Sequence, residues 1–487
     1  MSSYTISNTK LNPKRIFILQ KCELEKRLDP YYYAHEFNAY EKLLLKKPFK
    51  KFHEILKSVN NGYDFRDYKE SGTPYLKVAN VKKGNLDFSK IQYIDFNSSE
   101  ISKNIQLKKG NLLLTRKGTF GNAVALDRDY DYVISSEVFY IELNNKSINP
   151  KFLEIFFNSK IGQAQFDKNK IGAIMGSLSQ EAIRDLKIPF PNKEIQNEIV
   201  EIYSKYIEQK EQDEAEAKRL LSNIDNYLLG ELGINLPEPP ENTLKNRMFR
   251  VSLKDISGGR FDPKLYDNNT QAIRNAIKGT TFNKPKLKEL VTHSVAGDWG
   301  KDEKENLVDN YKRCLVIRAT EFDNLYNLNL DNSRVKYRLI NTDKLDRIDI
   351  QENDLLIEKS GGSPDQPVGR ISILTNEILK THQIGYSNFI HKIRVDNSKI
   401  NSEYLFCFLK TVHNIKLTDA MQSQTNGIRN LIMANYFNQI IPLPKIDKQK
   451  EIAKHITGIR VQAQNLKDKT AEALKKASDE IENILLN

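Results

Sequence analysis

The sequence lacks the motifs that mark most stand-alone nucleotide-dependent enzymes. It contains no GxxxxGK[ST] phosphate loop, no GxGxxG fingerprint that opens a helix after a strand, and no Asn/Asp-Pro-Pro-Tyr/Phe tetrapeptide. The nearest approach to that tetrapeptide, Glu238-Pro239-Pro240-Glu241, has neither the amide nor the aromatic ring that would hold a flipped base. We interpret it as a linker, and we expect no catalytic residue and no cofactor in this chain.

Residues that commonly bind metals are also poorly placed. The three cysteines are far apart and form no CxxC pair, and the seven histidines show no HxH or HExxH spacing. The segment Asp354–Lys359 resembles a nuclease carboxylate-lysine strand. However, the adjacent Glu358 and Lys359 would point to opposite faces of a strand and could not share one metal ion. We therefore predict no metal site.

Long apolar runs are absent as well. The run Ile16–Leu19, between Arg15 and Lys21, is too short for the core of a signal peptide. No stretch reaches the roughly 18 apolar residues that would cross a bilayer. We therefore expect a cytoplasmic protein with reduced cysteines and no membrane partner.

The composition favours a folded, basic protein with more than one domain. Of the 487 residues, 39% are hydrophobic and 28% are charged, which is typical of globular chains that are too long for one hydrophobic core. Lys and Arg total 75 against 63 for Asp and Glu, which gives a net charge of +12. This excess favours a polyanionic partner such as nucleic acid, although an ordinary basic protein would also show it.

The same pattern occurs twice, at positions about 250 residues apart, and a repeat of that length indicates a duplicated domain. The first copy is Ile188-Pro189-Phe190-Pro191 with Gln196, Glu198 and Ile199, and the second is Ile441-Pro442-Leu443-Pro444 with Gln449, Glu451 and Ile452. We predict a globular domain at 1–187, a helix at 188–232, a linker at 233–246, a second globular domain at 247–440 and a second helix at 441–487.

Weaker matches extend the repeat through both halves and predict mixed strands and short helices. The paired segments are Arg15–Phe17 with Arg247–Phe249, Tyr75–Val81 with Cys314–Thr320, Gly110–Gly118 with Asn353–Gly361, and Ile148–Pro150 with Ile400–Ser402. The last pair has the form of caps that open amphipathic helices. Between these matches lie segments of little similarity. A common frame of matched strands and helices therefore repeats, while the loops between them differ.

The residues after each Ile-Pro-x-Pro segment predict a long helix with a coiled-coil seam, because seam residues recur at alternating spacings of four and three. The seam has a polar middle, and its positions are Ile199, Tyr203, Tyr206, Lys210, Asp213, Ala217, Leu220, Ile224 and Tyr227 in the first helix and Ile452, Ile456, Ile459, Ala463, Leu466, Thr470, Ala473, Ala477 and Glu480 in the second. A helix from Gln196 to Leu228 would be about 50 Å long, which suits a rigid spacer. The alternative is two independent surface helices.

Together these features resemble the specificity subunit of type I restriction-modification enzymes. The segments that carry the resemblance are Leu112–Gly118, Leu355–Gly361, Asn426–Leu431 and the two helices with their Ile-Pro-x-Pro starts. The resemblance spans about Arg15 to Asn487. It implies an α+β fold in which two target-recognition domains are joined by two long antiparallel coiled-coil helices with pseudo-twofold symmetry.

The resemblance also implies a function and partners. The subunit would be non-catalytic, would bind double-stranded DNA at a bipartite target, and would dock two methyltransferase subunits that bind S-adenosylmethionine. Restriction or translocase subunits are further partners. At the corresponding place in the first half lies Gly172–Leu178, which lacks the Gly-Ile-Arg sequence of the second half. This difference argues against an equivalent arginine contact in the first half.

Basic and polar residues near the matched strands are our candidates for DNA contact, and the alternative for each is a solvated surface charge. They are Arg66, Lys77, Arg116 and Lys117 in the first half and Lys301, Arg318, Lys359, Ser360 and Arg429 in the second. Two other functions fit the sequence: a DNA-recognition subunit of another methylase-based defence system, and a helical assembly scaffold that does not read DNA.

Overall fold

The computed structural model describes residues 18–24, 28–34, 36–96, 105–144, 147–172, 176–241, 243–256, 261–303, 310–323, 327–362, 366–425 and 427–486. The segment Arg15–Phe17, the residue Asn426 and the middle of Gly172–Leu178, all used in the sequence comparison, lie outside these ranges. The chain forms two compact units. The N-terminal unit comprises Met1–Asp213 and Asp468–Asn487, and the C-terminal unit comprises Glu214–Lys467.

The first part of the chain contains five short helices and eleven short strands in the described residues. The helices are α1 (Pro30–Ala34), α2 (Phe37–Leu44), α3 (Pro150–Asn158), α4 (Lys160–Asn169) and α5 (Gln180–Arg184). The strands are β1 (Phe49–Lys51), β2 (Leu56–Asn61), β3 (Thr73–Leu76), β4 (Val81–Lys82), β5 (Asn85–Leu86), β6 (Gln92–Ile94), β7 (Leu112–Thr115), β8 (Ala123–Ala125), β9 (Val133–Ile134), β10 (Val138–Leu143) and β11 (Lys187–Pro189). A four-stranded antiparallel sheet has the order β2-β10-β7-β8, and a three-stranded sheet has the order β6-β3-β9.

The rest of the chain begins with the helices α6 (Lys193–Ser222) and α7 (Ile224–Glu231). The further helices are α8 (Leu244–Arg247), α9 (Leu253–Ile256), α10 (Pro263–Tyr266), α11 (Asn268–Lys278), α12 (Leu287–Leu290), α13 (Thr342–Ile348), α14 (Asn376–Thr381), α15 (Ser402–Asn414), α16 (Met433–Phe437) and α17 (Ile446–Leu486). The strands are β12 (Val291–Ala296), β13 (Tyr311–Ile317), β14 (Lys336–Asn341), β15 (Leu355–Glu358), β16 (Ser360–Gly361), β17 (Ile371–Ile373), β18 (Ile384–Tyr386), β19 (Ile390–Val395), β20 (Gln422–Thr425) and β21 (Ile428–Leu431).

The two units repeat the same sheet topology. In the C-terminal unit the four-stranded sheet has the order β12-β19-β15-β17, which matches β2-β10-β7-β8 strand for strand. Its three-stranded sheet has the order β14-β13-β18 and matches β6-β3-β9, since each central strand pairs antiparallel on one side and parallel on the other. The mixed α+β class and the duplication predicted from the sequence are therefore confirmed.

The registers correct one detail of the sequence comparison. The parallel pairs Leu76–Ile134 and Ile317–Tyr386 make Leu76 equivalent to Ile317. The sequence had matched Tyr75–Val81 with Cys314–Thr320, which is two residues out of register. The error arose because neighbouring residues on both strands are apolar, so that pairing geometry fixes the register and side-chain type does not.

A buried helix packs behind each four-stranded sheet. Helix α3 contacts β8, and α15 contacts β17. Asn149 and Asn401 cap these helices, because their side chains accept hydrogen bonds from the backbone N–H groups of Lys151 and Tyr404. The caps predicted from the sequence are therefore confirmed, and the helices bring apolar side chains into the core of each unit.

The long helices differ from the predicted segments at their ends. The first helix begins at Lys193 and is interrupted at Asn223, where α7 begins one residue later. Most predicted seam positions are buried or half-buried; Ile199, for example, is 0% exposed. Glu480 is exposed, and the prediction that it belongs to the seam is wrong; the neighbouring Ile481 is buried in its place.

Candidate nucleic-acid interface and docking helices

Each four-stranded sheet ends in an equivalent basic loop. The backbone N–H of Arg116 donates to Glu137, and that of Lys359 donates to Phe389, immediately after the matched strands β7 and β15. Gly118 follows the first loop with a φ of 71°, a conformation that favours glycine, and a Cβ there would meet no atom within 4 Å. The main chain is therefore open to a close approach at this point.

The two basic residues of the first loop differ in their surroundings. Lys117 is exposed. Arg116 is half-buried, with its guanidinium 5.2 Å from the ring centroid of Phe139 and one terminal nitrogen donating to the carbonyl of Ser136 at 3.4 Å. Its Nε is buried and has no hydrogen-bond partner among the described residues. Lys117 is thus free to reach a phosphate, whereas Arg116 is held against the sheet.

The second loop continues into a small sheet. Strands β16, β21 and β20 pair in that order, and Gly361 lies opposite Arg429. Ser360 is buried, and its hydroxyl donates to Asn430 at 2.6 Å, so this side chain holds the sheet together. Arg429 is largely covered and lies 4.0 Å from a carboxylate oxygen of Asp419. At the same place the described residues of the first unit form two isolated bridges, because Ser177 pairs with both Lys117 and Ile171.

Lys77 and Arg318 occupy one position in the two units. Each follows the central strand of the three-stranded sheet, and each backbone N–H donates to the side chain three residues later, Asn80 in the first unit and Glu321 in the second. The Lys77 ammonium lies 4.7 Å from the ring centroid of Tyr68. The Arg318 guanidinium binds the buried carboxylate of Glu321. The sequence comparison did not detect this equivalence because its register was two residues out.

The two remaining candidates are exposed. Arg66 lies 3.6 Å from Asp64 and its side chain is 90% exposed. Lys301 lies 4.9 Å from the ring centroid of Tyr311.

The structure adds pairs of basic and aromatic residues on β13 and β14 that the sequence analysis did not identify. Arg313 and Tyr337 lie on one face of this sheet and Arg338 on the other, because Arg338 is opposite Cys314. Arg313 stacks 3.8 Å from the ring centroid of Tyr337, and Arg338 lies 4.9 Å from that of Trp299. Arg313 and Tyr337 are diagonal neighbours across β13 and β14. The alternation of basic and aromatic residues in both strands was the available signal, but it required the strand pairing to be interpreted.

The segment that resembles a nuclease strand is used for buried ion pairs. Asp354 and Lys392 are both fully buried and lie 3.0 Å apart, and Arg394 also binds Asp354 at 2.7 Å. Glu358 forms two hydrogen bonds with Arg370. No group of three potential metal ligands occurs in the described part of the chain. These carboxylates therefore neutralise buried cations.

In the N-terminal unit the two long helices meet in an antiparallel sense. Ile199, near the start of α6, shares a core cluster with Ile481 and Leu485, near the end of α17. Farther along, the carboxylate of Asp213 accepts a hydrogen bond from Thr470 at 3.2 Å. Residue numbers therefore increase along α6 while those of the contacting residues in α17 decrease, so the two helices are antiparallel.

The C-terminal unit shows the same sense. Ile224 shares a core cluster with Ile452 and Ile456. The rings of Tyr227 and His455 lie 4.2 Å apart, and farther along α7 Glu231 pairs with Lys448 at 2.6 Å, so residue numbers run in opposite directions along the two segments. The predicted seam residues Tyr203, Tyr206, Leu220, Ile459 and Leu466 are half-buried along the same helices. Within each unit, therefore, the two helix segments form a packed antiparallel pair. None of the described helices is both long enough and apolar enough to span a bilayer.

Comparison with known proteins identifies the repeated domain. The family model of the type I restriction modification DNA specificity domain matches residues 46–220 and 280–475. The chain resembles the type I restriction enzyme EcoBI specificity subunit of Escherichia coli, with 23% identity over 168 residues. That match covers 34% of this chain and 35% of the relative, so it spans about a third of each protein.

Three solved structures cover 90% of this chain at 14% identity. They are the S subunit of a type I system from M. genitalium (TM-score 0.41), a structure described as the basis of complex assembly and conformational transition of the type I R-M system (0.48), and the HsdS subunit from Thermoanaerobacter tengcongensis (0.37). Between 95% and 96% of those chains is covered. Because the two segments matched by the family model make up most of the chain, it belongs to the type I restriction-modification DNA specificity family and carries that family's domain twice.

Proposed function

We propose that this chain is the non-catalytic specificity subunit of a type I restriction-modification complex and that each unit reads one half of a bipartite DNA target. The observation that carries the proposal is the combination of a repeated frame with unlike loops. At one equivalent position the first unit exposes Lys117, whereas the second unit buries Ser360; the equivalence follows because they pair with Ser177 and Asn430 respectively. Equivalent frames that present different side chains would read two different half-sites.

The chemistry of the loops supports contact with a polyanion. Lys117 is exposed beside Gly118, and the open space around that glycine allows the main chain to approach a phosphate. In the C-terminal unit Arg313 and Arg338, on opposite faces of the three-stranded sheet, each place a guanidinium group near an aromatic ring. Each also pairs with a carboxylate, Glu303 and Asp302 respectively. Arginine in this arrangement suits phosphate and base contacts. The candidate residues from the sequence remain proposals. The exposed Lys117 is the best placed, whereas Lys359 is half-buried and is the counterpart of Arg116.

The antiparallel helix segments would serve assembly. Their seam is buried within each unit, so their polar outer faces are left for other proteins. We propose that these faces dock two methyltransferase subunits, which would supply S-adenosylmethionine and the catalytic residues. Restriction or translocase subunits would join the same complex.

The proposal is tested by the methylation pattern that the complex leaves on DNA. The chain should be co-expressed with the methyltransferase encoded beside it, and modified bases should be mapped by long-read sequencing of the host genome. We expect one bipartite motif, with two short unlike half-sites around an unspecified gap, and no such motif when this chain is omitted. A contiguous palindrome as the sole methylated motif would contradict the proposal.

A helical scaffold without DNA readout would give a different result. The complex would assemble, but it would bind random duplex and target duplex equally, and no motif would be modified in a manner that depends on this chain.

A further inference from the structure

A buried glutamine fastens the start of the first long helix to the N-terminal unit. Gln196 is 1% exposed. Its Oε1 accepts the backbone N–H of Asn149 at 2.7 Å, and its Nε2 donates to the carbonyls of Pro191 at 2.9 Å and Ser147 at 3.1 Å. One side chain thus ties α6, the Ile-Pro-x-Pro segment and the N-terminus of α3 together.

The C-terminal unit repeats this arrangement. Gln449 is fully buried, its Oε1 accepts the backbone N–H of Asn401 at 2.9 Å, and its Nε2 donates to the carbonyl of Pro444 at 2.8 Å. Tyr404 adds a hydrogen bond from its hydroxyl to Pro442 at 2.6 Å. We call the sets formed by Gln196 with Asn149 and Pro191, and by Gln449 with Asn401 and Pro444, the two clasps.

The clasp requires an amide side chain. One end must accept from an N–H group while the other end donates to a proline carbonyl, and glutamine does both at this length. Glutamate has no donor when ionised and would oppose the carbonyl of Pro191, whereas methionine would make neither bond. A buried group left without a partner costs more than the bond itself contributes, so the choice of residue is constrained.

Each clasp connects the long helix to the four-stranded sheet of its own unit. We call this the recognition sheet, because the proposed DNA-contact loop follows one of its strands. Asn149 caps α3, which packs against β8, and β8 pairs with β7 immediately before the loop that carries Lys117. Asn401 caps α15 in the same way, and α15 packs against β17, the neighbour of β15. The path from helix to loop therefore crosses one buried helix and two strands.

We infer that Gln196 and Gln449 are positioning residues that fix the direction of α6 and α17 relative to the recognition sheets and so restrict the gap between the two half-sites to one length. This inference rests on the proposed function. A helix of the length of α6 spans about 45 Å. A change of ~5° in its direction would move the far end by about 4 Å, which is close to the ~3.4 Å rise of one base pair.

The test uses the complete complex with Gln196→Glu and, separately, Gln196→Met. A plasmid library should carry the methylated motif with its natural gap and with gaps one base pair shorter and longer. We expect the wild-type complex to modify the natural gap almost exclusively. In both variants the ratio of off-gap to natural-gap modification should rise by at least about tenfold, because Gln196→Glu loses the two donated hydrogen bonds and Gln196→Met loses all three. The half-sites themselves should not change. Gln449→Met should act in the same direction.

The matched control is Gln165→Met. Gln165 is 2% exposed and binds the main chain of Lys187 through both ends of its amide, but it belongs to α4 and does not contact α6 through these bonds. This variant should lower the melting temperature without changing gap selectivity. If the clasp variants fold and keep the wild-type gap ratio, the inference is wrong. If the wild-type complex itself modifies no bipartite motif, the proposed function fails instead, and the two failures are distinguishable.

Discussion

The carboxylate of Asp213 accepts a hydrogen bond from the hydroxyl of Thr470 across the helix seam, and both residues are buried. Gln209 donates to the other carboxylate oxygen at 2.9 Å. A polar pair in a coiled-coil seam lowers stability relative to apolar residues, but it is satisfied in one register only. This pair therefore specifies how α6 and α17 align in the N-terminal unit.

Removing one member of that pair should destabilise the protein. We expect Thr470→Val to reduce the free energy of unfolding by about 1–2 kcal/mol, because it deprives a buried carboxylate of a donor. The double variant with Asp213→Leu should recover most of that loss. A double-mutant cycle by urea denaturation measures the coupling. Thr457→Val, at an exposed position of α17, is the control and should change stability by less than about 0.5 kcal/mol. Equal effects at both threonines would exclude a role for the pair.

Charge in the apolar seam should be much more damaging. Ile199 and Ile452 are both at 0% exposure, and replacing either with Asp would bury an unpaired carboxylate. We expect each variant to lose several kcal/mol of stability, or to become insoluble, and to lose methyltransferase binding in a pull-down. Val461→Asp, at a residue of α17 that is 52% exposed, should remain soluble. Unchanged folding and binding of Ile199→Asp would count against a packed helix pair.

The basic loop should contribute to affinity without setting the sequence preference. Lys117→Ala should weaken binding to specific and random DNA by similar factors, and it should reduce the slope of log affinity against log salt by roughly 0.9, the value of one phosphate contact. Arg116→Ala should also lower the melting temperature, since its guanidinium packs on Phe139.

Lys469→Ala provides the comparison for that experiment, because Lys469 is an exposed lysine on α17 outside the loops. It should leave the salt slope unchanged. A change in the recognised sequence after Lys117→Ala, with a constant salt slope, would show that this lysine reads a base.

Stability should depend on pH through Lys410. Burial lowers the pKa of this lysine to about 8, below its usual value near 10.5. Between these two values the unfolded chain binds one more proton than the folded chain, so this group makes the free energy of unfolding rise with pH, by up to about 3 kcal/mol. In unfolding titrations from pH 7 to 10.5, the free energy of unfolding of the wild type relative to that of Lys410→Met should show this rise, because the buried thiols of Cys314 and Cys407, whose pKa values burial raises, act equally in both proteins. If the wild type and Lys410→Met showed the same pH dependence of stability, Lys410 would not be the group responsible.

Recognition should be modular. Replacing residues 1–187 with the equivalent segment of another member of the family should change one half-site of the methylated motif and leave the other half-site and the gap intact. The reason is that the loops of the first recognition sheet all lie within that segment, whereas those of the second lie in Glu214–Lys467. Long-read mapping of modified bases provides the measurement. Simultaneous change of both half-sites would contradict the division.

The seam could be predicted from the sequence because its spacing is local, but its end could not. A strict alternation of four and three correctly reaches Ala477 and then leads to Glu480, whereas Ile481 and Leu485 are the buried residues that follow in α17. An α-helix has 3.6 residues per turn, so a repeat of 3.5 drifts unless the helices supercoil fully. The interruption at Asn223 also escaped prediction, since asparagine only mildly disfavours a helix interior.

Contacts between distant segments were beyond reach of the sequence alone. Lys392 and Asp354 are separated by 38 residues, and nothing in either segment indicates that they form a buried pair. Gln196 and Gln449 were visible as repeated letters, but their partners depend on where α3 and α15 begin. The sequence did identify basic residues at the candidate loops. The equivalence of Lys77 and Arg318, however, could be established only from the strand registers.

The core of the N-terminal unit has a consequence for biosynthesis. Ile481 and Leu485 belong to that core, although the ribosome adds them after the whole of the C-terminal unit. The domain translated first therefore cannot finish folding until α17 has emerged, while the domain translated second has all its segments by Lys467. A chain that ended before Asp468 and had left the ribosome would hold a closed second domain and a first domain with an open apolar groove, and that groove is where chaperones would be needed.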